Sequence, residues 1–436
     1  MAGWIARVIA ITGIVACGGG GPTEPGPDDV RVTVYQFGAP APDAIVWFSD
    51  PVTGESIAEA TTGADGAFFA AVPAGSAVTA AARDPGADPA VWQLYTIAEV
   101  EPGDDLVAGS NLVVDRSMMG GIEVSLPGAF AGAAFYDVSI GCRAAQQTTP
   151  TEPILVWVTA DCLSTESRVT AVAHARDIDG NAIAFAPAVD VEAPAAGDVT
   201  PLSAGDWQTD FSTFTLTVLG IPPTSSVRSQ LTLFDEGAEF AGGEQEDSMP
   251  AAGTATHEYS FPTGLATRLL WQVAVVNESI DSTQMLIASP DGPDPPDSDS
   301  FDLTDGDLPG LSAAGGAIDT NGSPALSWET AGDASAADGV FAIAQWVNPN
   351  QSQLRWHMYA PPGATAELVY PSMPESMQLY RGVLGAEVDA SISLIAADHI
   401  GAYSRFRAES HRLFDPGLPV VDLRMRVTRA ATMGAL

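Results

Sequence analysis

The sequence predicts an all-β chain of several antiparallel sandwiches in tandem, on three observations. Apolar residues alternate with period two through short segments rich in β-branched and aromatic residues, among them Arg31 to Tyr35, Arg168 to Ala173, Phe211 to Val218 and Trp271 to Val275. Clusters of Gly, Pro, Asn and Asp interrupt the chain between these segments at short intervals. Helical periodicity with capping is nearly absent, His399 to Leu413 being the best stretch. Short strands with frequent turns build sandwiches rather than a parallel α/β sheet.

The first element is an export signal. Met1 to Arg7 carries one positive charge, and Val8 to Ala16 is an apolar run too short to span a bilayer. The run closes on Ile14-Val15-Ala16-Cys17, followed by four glycines and Pro22. A cysteine directly after the small residue resembles the bacterial lipoprotein signal, the lipobox. The resemblance implies that residues 1–16 are a signal peptide and that Cys17 becomes the acylated first residue of the mature chain. Gly18 stands where, in enteric bacteria, an aspartate holds lipoproteins at the inner membrane, so the resemblance implies the outer membrane. Residues 17–29 form a Gly/Pro/acidic tether with a root-mean-square span of roughly 20 Å. Several acyl chains make such an anchor durable.

Residues 30–115 come next. Gly38-Ala39-Pro40-Ala41-Pro42-Asp43-Ala44-Ile45-Val46 is followed by Thr61-Thr62-Gly63-Ala64-Asp65-Gly66-Ala67-Phe68 and then by Val72-Pro73-Ala74-Gly75. This pattern resembles the carboxypeptidase regulatory domain-like family, a transthyretin-type sandwich, and Asp65-Gly66 suits its tight hairpin. Asp43 departs from the family, where glycine is common. The resemblance implies a non-catalytic accessory module, and Ig-like or transthyretin-like sandwiches are expected beyond it.

Residues 116–200 and 201–288 read as two further sandwiches. With Cys17 assigned to lipid, Cys142 and Cys162 remain, both at the ends of strand-like runs. An even pair in an oxidising compartment reads as a disulfide, worth about 3 kcal/mol by loop closure. Asp177-Ile178-Asp179-Gly180-Asn181 reads as a hairpin turn. Residues 289–310 are rich in Pro and Asp and read as a solvated linker. Within it, Asp297, Asp299 and Asp302 are spaced somewhat like a calcium loop and are the weak metal candidates, but no Asp-x-Asp-x-Asp-Gly run with a closing glutamate exists. Residues 311–436 form the last β domain and contain Trp328, Trp346 and Trp356.

Charge and missing motifs narrow the function. The net charge of −38 comes from 55 acidic residues against 17 basic ones, every one of them arginine, and this opposes nucleic-acid binding. With 46% apolar and 17% charged residues the chain folds rather than staying disordered. No His-Glu-x-x-His, Gly-x-Ser-x-Gly, Walker loop or dinucleotide fingerprint occurs. No cofactor is expected. The reading is a non-catalytic, lipid-anchored cell-envelope protein for binding, adhesion or scaffolding. Its partners are the membrane, through lipid, and an envelope protein or polysaccharide. The alternative is a carbohydrate-binding surface lipoprotein presenting Trp328, Trp346 and Trp356, with Trp92 and Trp207 as further candidates; core tryptophans are the plainer account. An envelope hydrolase with an unrecognised site is the third reading. Six arginines (Arg405, Arg407, Arg412, Arg424, Arg426, Arg429) crowd the last 32 residues. They are candidates to dock the acidic body of the chain, a partner or lipopolysaccharide, and solvated strand faces pairing with local acids are the plainer account.

Overall fold

The computed structural model describes residues 26–432, apart from 85, 110–117, 141–142, 164–166, 236–237, 249–252, 278–281, 291–295, 305–307, 331, 364–365 and 413–422. The chain is all-β and builds four sandwiches. In the first, β1 (Val30–Gln36), β2 (Ala39–Pro40), β5 (Ala67–Ala70) and β8 (Asp105–Ala108) form one sheet, with β8 parallel to β1. It faces β3 (Ile45–Ser49), β4 (Ser56–Thr61), β6 (Ser76–Arg83) and β7 (Val91–Val100). Period-two alternation sends Val32, Val34, Val46, Phe48 and Val78 into the space between them. Two turn residues fix the entry to this sandwich. A Cβ at Gly66 (φ +71) would lie 2.7 Å from the Val34 carbonyl oxygen, so only glycine fits. Asp43 holds φ +58, a left-handed conformation that glycine adopts more readily.

The second sandwich packs β9 (Met118–Ser125), β12 (Ile154–Thr159) and β15 (Val199–Ser203) on β10 (Phe135–Ser139), β11 (Ala144–Gln147), β13 (Arg168–Arg176) and β14 (Ala182–Glu192). The third packs β16 (Phe211–Leu219), β19 (Thr254–Pro262) and β22 (Ser298–Asp302) on β17 (Ser225–Asp235), β18 (Ala238–Ser248), β20 (Arg268–Asn277) and β21 (Ser282–Ser289). The fourth packs β23 (Leu311–Ile318), β24 (Pro324–Thr330) and β27 (Glu367–Val369) on β25 (Gly339–Val347), β26 (Gln353–Ala360), β28 (Asp389–Ala397) and β29 (Leu423–Ala431).

Tandem order in sequence does not mean separation in space. One twelve-stranded sheet runs β18-β17-β20-β21-β29-β28-β25-β26-β7-β6-β3-β4 and serves the third, fourth and first sandwiches at once. It is joined at two seams. β21 pairs antiparallel with β29 from Ser282↔Ala430 to Ser289↔Leu423, and β26 pairs parallel with β7 from Gln353↔Val91 to Tyr359↔Ile97. An edge strand leaves a row of N–H and C=O groups unpaired, and each seam satisfies two such rows. The cores follow the sheet: Trp47, Ala81, Trp92 and Leu94 of the first sandwich join the core of the fourth, while Tyr359, Ile395 and Phe406 of the fourth join that of the first.

Three expectations are corrected here. Part of the 289–310 segment is not a free linker: Ser298–Asp302 is β22, parallel to β16, with Phe301 buried in the third core. The second sandwich extends past residue 200, to Ser203. The one α-helix among the described residues is α1 (Tyr403–Glu409), shorter than the 399–413 stretch, and it turns Phe406 onto Gly339.

Candidate functional site

The sequence-derived candidates fall in different places. Cys17 and Cys142 lie outside the described residues. Cys162 is buried in the second core, its Sγ 3.2 Å from the Thr159 hydroxyl. Trp328, Trp346 and Trp356 are 7%, 5% and 0% exposed, which overturns their reading as glycan platforms. They are core: the rings of Trp346 and Trp47 stand 6.3 and 6.1 Å from Trp356. Tryptophan is bulky enough to fill the space where two sheets and a neighbouring sandwich meet. The calcium candidates do not converge. Asp299 Oδ2 pairs with Arg424 Nη1 at 3.2 Å, Asp302 accepts from the N–H and hydroxyl of Thr304, and the Asp297 carbonyl accepts from the Thr215 N–H. Among the described residues no three acids, histidines or cysteines form a metal-holding group.

The late arginines knit sandwiches together. Arg407 on α1 lies 2.8 Å from the Asp104 carboxylate and donates to the Glu99 carbonyl, both in the first sandwich. Arg424 on β29 reaches Asp299 of the third. Arg407 is 7% exposed, so its pairing is screened little by solvent.

A cleft of about 470 Å³ opens where the first and fourth sandwiches share their sheet. Its floor is the face of β3, β6, β7 and β26, with small side chains at Ser49, Ala77, Ala98 and Ala360. Its other wall is β24 and β27 with Trp328, Leu368 and Tyr370. The loop Asp50-Pro51-Val52-Thr53-Gly54 closes one end, and the Gly54 carbonyl accepts from the Ser372 N–H at 3.2 Å. The loop is held by Asp50, whose carboxylate accepts from the Thr53 and Val52 N–H groups; these bonds hold its pKa below the usual range. Among the described residues no arginine or histidine lines the cleft, whereas Asp50, Glu99 and Glu367 do. Ser49 is 1% exposed, lines the cleft, and its Oγ has no hydrogen-bond partner. An unpartnered buried hydroxyl is costly unless a ligand or water completes it. No local sequence pattern marks this site, because its walls come from segments some 300 residues apart.

A second constellation lies inside the third sandwich. Ser229 Oγ on β17 contacts His257 Nδ1 on β19, and His257 Nε2 lies 3.2 Å from Asp247 Oδ2 on β18. Tyr259 Oη is 2.6 Å from Ser229 Oγ. Asp247 only accepts, so His257 carries its proton on Nε2 and Nδ1 accepts from Ser229. Burial raises the Tyr259 pKa, so the phenol stays protonated and donates to Ser229 Oγ. The chain has the parts of a serine hydrolase triad, with the imidazole nitrogens exchanged. Ser229 and His257 are 1% and 2% exposed, so the arrangement is a satisfied core network bridging two sheets. The inward positions of His257 and Tyr259 were the only signal in the sequence.

No family model matches the chain, and no curated protein matches it. Solved structures give distant likenesses. A Bacteroides ovatus protein described as a candidate adhesin is 9% identical, covering 45% of this chain and 94% of its own, with a TM-score of 0.18. The Bacillus anthracis TIE protein is 10% identical, covering 56% of this chain and 45% of its own, with a TM-score of 0.14. A leucine-rich repeat protein from Bacteroides thetaiotaomicron is 12% identical over 40% of this chain and 22% of its own, at 0.16. At these scores the likenesses carry no argument about function, which rests on the chain's own geometry.

Proposed function

We propose that this chain is a lipid-anchored cell-envelope protein that works by binding, without catalysis, and that its binding site is the cleft between the first and fourth sandwiches. The cleft carries the reading. It is concave, floored by small side chains, built on rigid sheet and fitted with a buried hydroxyl that lacks a partner, which are the attributes of a preformed binding site. Acylation of Cys17 would set the body off the membrane on the 17–29 tether, and a Cys142–Cys162 disulfide would brace the second sandwich. The burial of Ser229 speaks against the hydrolase reading, since no substrate carbonyl reaches its Oγ. The burial of Trp328, Trp346 and Trp356 speaks against sugar stacking.

The test has two arms. Mass spectrometry of the mature N-terminus, with envelope fractionation of wild type and Cys17→Ser, reads the anchor; an unmodified Cys17 or a soluble wild type contradicts it. Pull-down from isolated envelopes with wild type and a cleft-filling Ala77→Phe variant reads the binding site; equal capture by both contradicts it.

A further inference from the structure

Resting on the reading of the cleft as the binding site, we propose that its occupant is an extended polypeptide segment. It adds as a fourth strand to the free edge of β27, with apolar side chains facing in and basic side chains facing out.

The hydrogen-bond ladder shows which groups of β27 are available. Among the described residues β27 is the last strand of its sheet, in the order β23-β24-β27. The Tyr370 N–H donates to the Pro324 carbonyl and the Trp328 N–H to the Ala366 carbonyl, with Leu326 opposite Leu368 between them. Hydrogen-bonded pairs alternate along an antiparallel ladder, so Leu368 spends its main-chain groups on β24. Those of Glu367 and Val369 point away from β24, toward the free edge.

The sheet beneath continues beyond that edge. β23 lies against β28 and β29, and Tyr370 at the end of β27 stands on Trp356 of β26, ring centroids 5.1 Å apart. The lower sheet then runs on through β7, β6 and β3, where Ala98, Ala77 and Ser49 form the cleft floor. The cleft therefore opens beyond the edge of β27 over small residues, and the orphaned Ser49 hydroxyl sits in it.

Side-chain alternation sets the chemistry of the segment. Leu368 packs inward against the core while Glu367 and Val369 are exposed on the outer face. An added strand shares this pleat, so its inward residues meet apolar floor and its outward ones meet Glu367. With Asp50, Glu99 and Glu367 on the walls and no cation among them, the outward residues are Lys or Arg.

Isothermal titration of the detergent-solubilised full chain with the peptides Ac-KVKVK-amide and Ac-EVEVE-amide tests this. The lysine peptide should bind at least tenfold more tightly than the glutamate peptide. Glu367→Arg and Val369→Pro, which leave the β24 ladder intact, should each weaken it at least tenfold. Glu258→Arg, an equal charge change on the third sandwich, should leave it within twofold. Equal binding of the two peptides, or equal binding of the lysine peptide by all variants, overturns the proposal, as does no binding at millimolar peptide. Neutral oligosaccharide bound in the cleft and lost in Ala77→Phe also overturns it, in favour of a glycan. The readout does not depend on the anchor, so failure here is distinct from failure of the envelope assignment.

Discussion

Trp356 donates its indole N–H to the hydroxyl of Thr96, 2.7 Å away and 260 residues earlier in the chain. The Thr96 hydroxyl lies 2.7 Å from that of Thr79 on the neighbouring strand, and all three residues are fully buried. Small polar residues at core positions of β6 and β7 thus exist for a partner supplied by the last sandwich. Thr96→Val keeps the shape but leaves a buried N–H without an acceptor, at a cost of about 1–3 kcal/mol. Because the first and fourth sandwiches share sheet and core, the variant should lower one common unfolding transition. Scanning calorimetry checks this; two separate transitions for these sandwiches would contradict the shared core.

His357 gives the protein an acid-sensitive core. Its ring stacks on Tyr95 at 4.8 Å and faces Phe341 at 5.9 Å, and its Nε2 has no partner. Burial, with the Arg355 charge beside it, pushes the pKa from 6.5 down to about 3. The unfolded chain takes up a proton below pH 6.5 and the native chain does not until about pH 3. Native stability therefore falls through that window, by about 1.4 kcal/mol per pH unit and about 2 kcal/mol by pH 5. His357→Phe should remove this loss while keeping the stack, as urea midpoints at pH 7 and pH 5 will show. Asp137 acts lower. Burial raises its pKa, but hydrogen bonds from His174 and Arg176 outweigh this and hold it below 3.8, so its contribution is lost only under more acid conditions.

The Ser229 network should be structural. Ser229→Ala leaves the Tyr259 hydroxyl and His257 Nδ1 without their shared partner, and stability should fall by about 1–3 kcal/mol. A fluorophosphonate probe should leave native Ser229 unlabelled. Stoichiometric labelling of the folded chain would restore the hydrolase reading.

The Cys142–Cys162 disulfide is a proposal that thiol chemistry can read. Non-reducing peptide mapping should return the two cysteines in one linked peptide, and reduction should lower stability by about 3 kcal/mol. A free Cys162 thiol in exported protein would contradict it.

Local order was legible in the sequence and long-range order was not. Period-two alternation marked β16 and β20, because their inward and outward faces differ in solvent, whereas β1 and β13, covered on both faces over much of their length, were marked by their β-branched residues. The Asp177 turn was legible too: its carboxylate accepts from the Asp179 and Asn181 N–H groups, a bond pattern written within five residues. β22 was hidden because Phe301 is its only fully buried side chain and aspartates surround it. The seams between β7 and β26 and between β21 and β29 were hidden for a different reason. Strand edges carry no side-chain signature of which distant edge they will meet, so neither the shared sheet nor the cleft built on it had a local signal. Core was the plainer account of the tryptophans, but what would cover them was hidden for the same reason: what covers Trp356 comes from β3, β7 and the segment around Tyr370.

In the proposed function the cleft is where this protein meets its partner in the envelope. A photo-reactive residue at Val369, on the free edge of β27, tests it in intact cells, with the same residue at Ile178, 84% exposed on the second sandwich, as the control. A discrete polypeptide adduct is expected from position 369, absent from position 178 and lost when Ala77→Phe fills the cleft. Adducts of equal yield from both positions, or none from position 369, would contradict it.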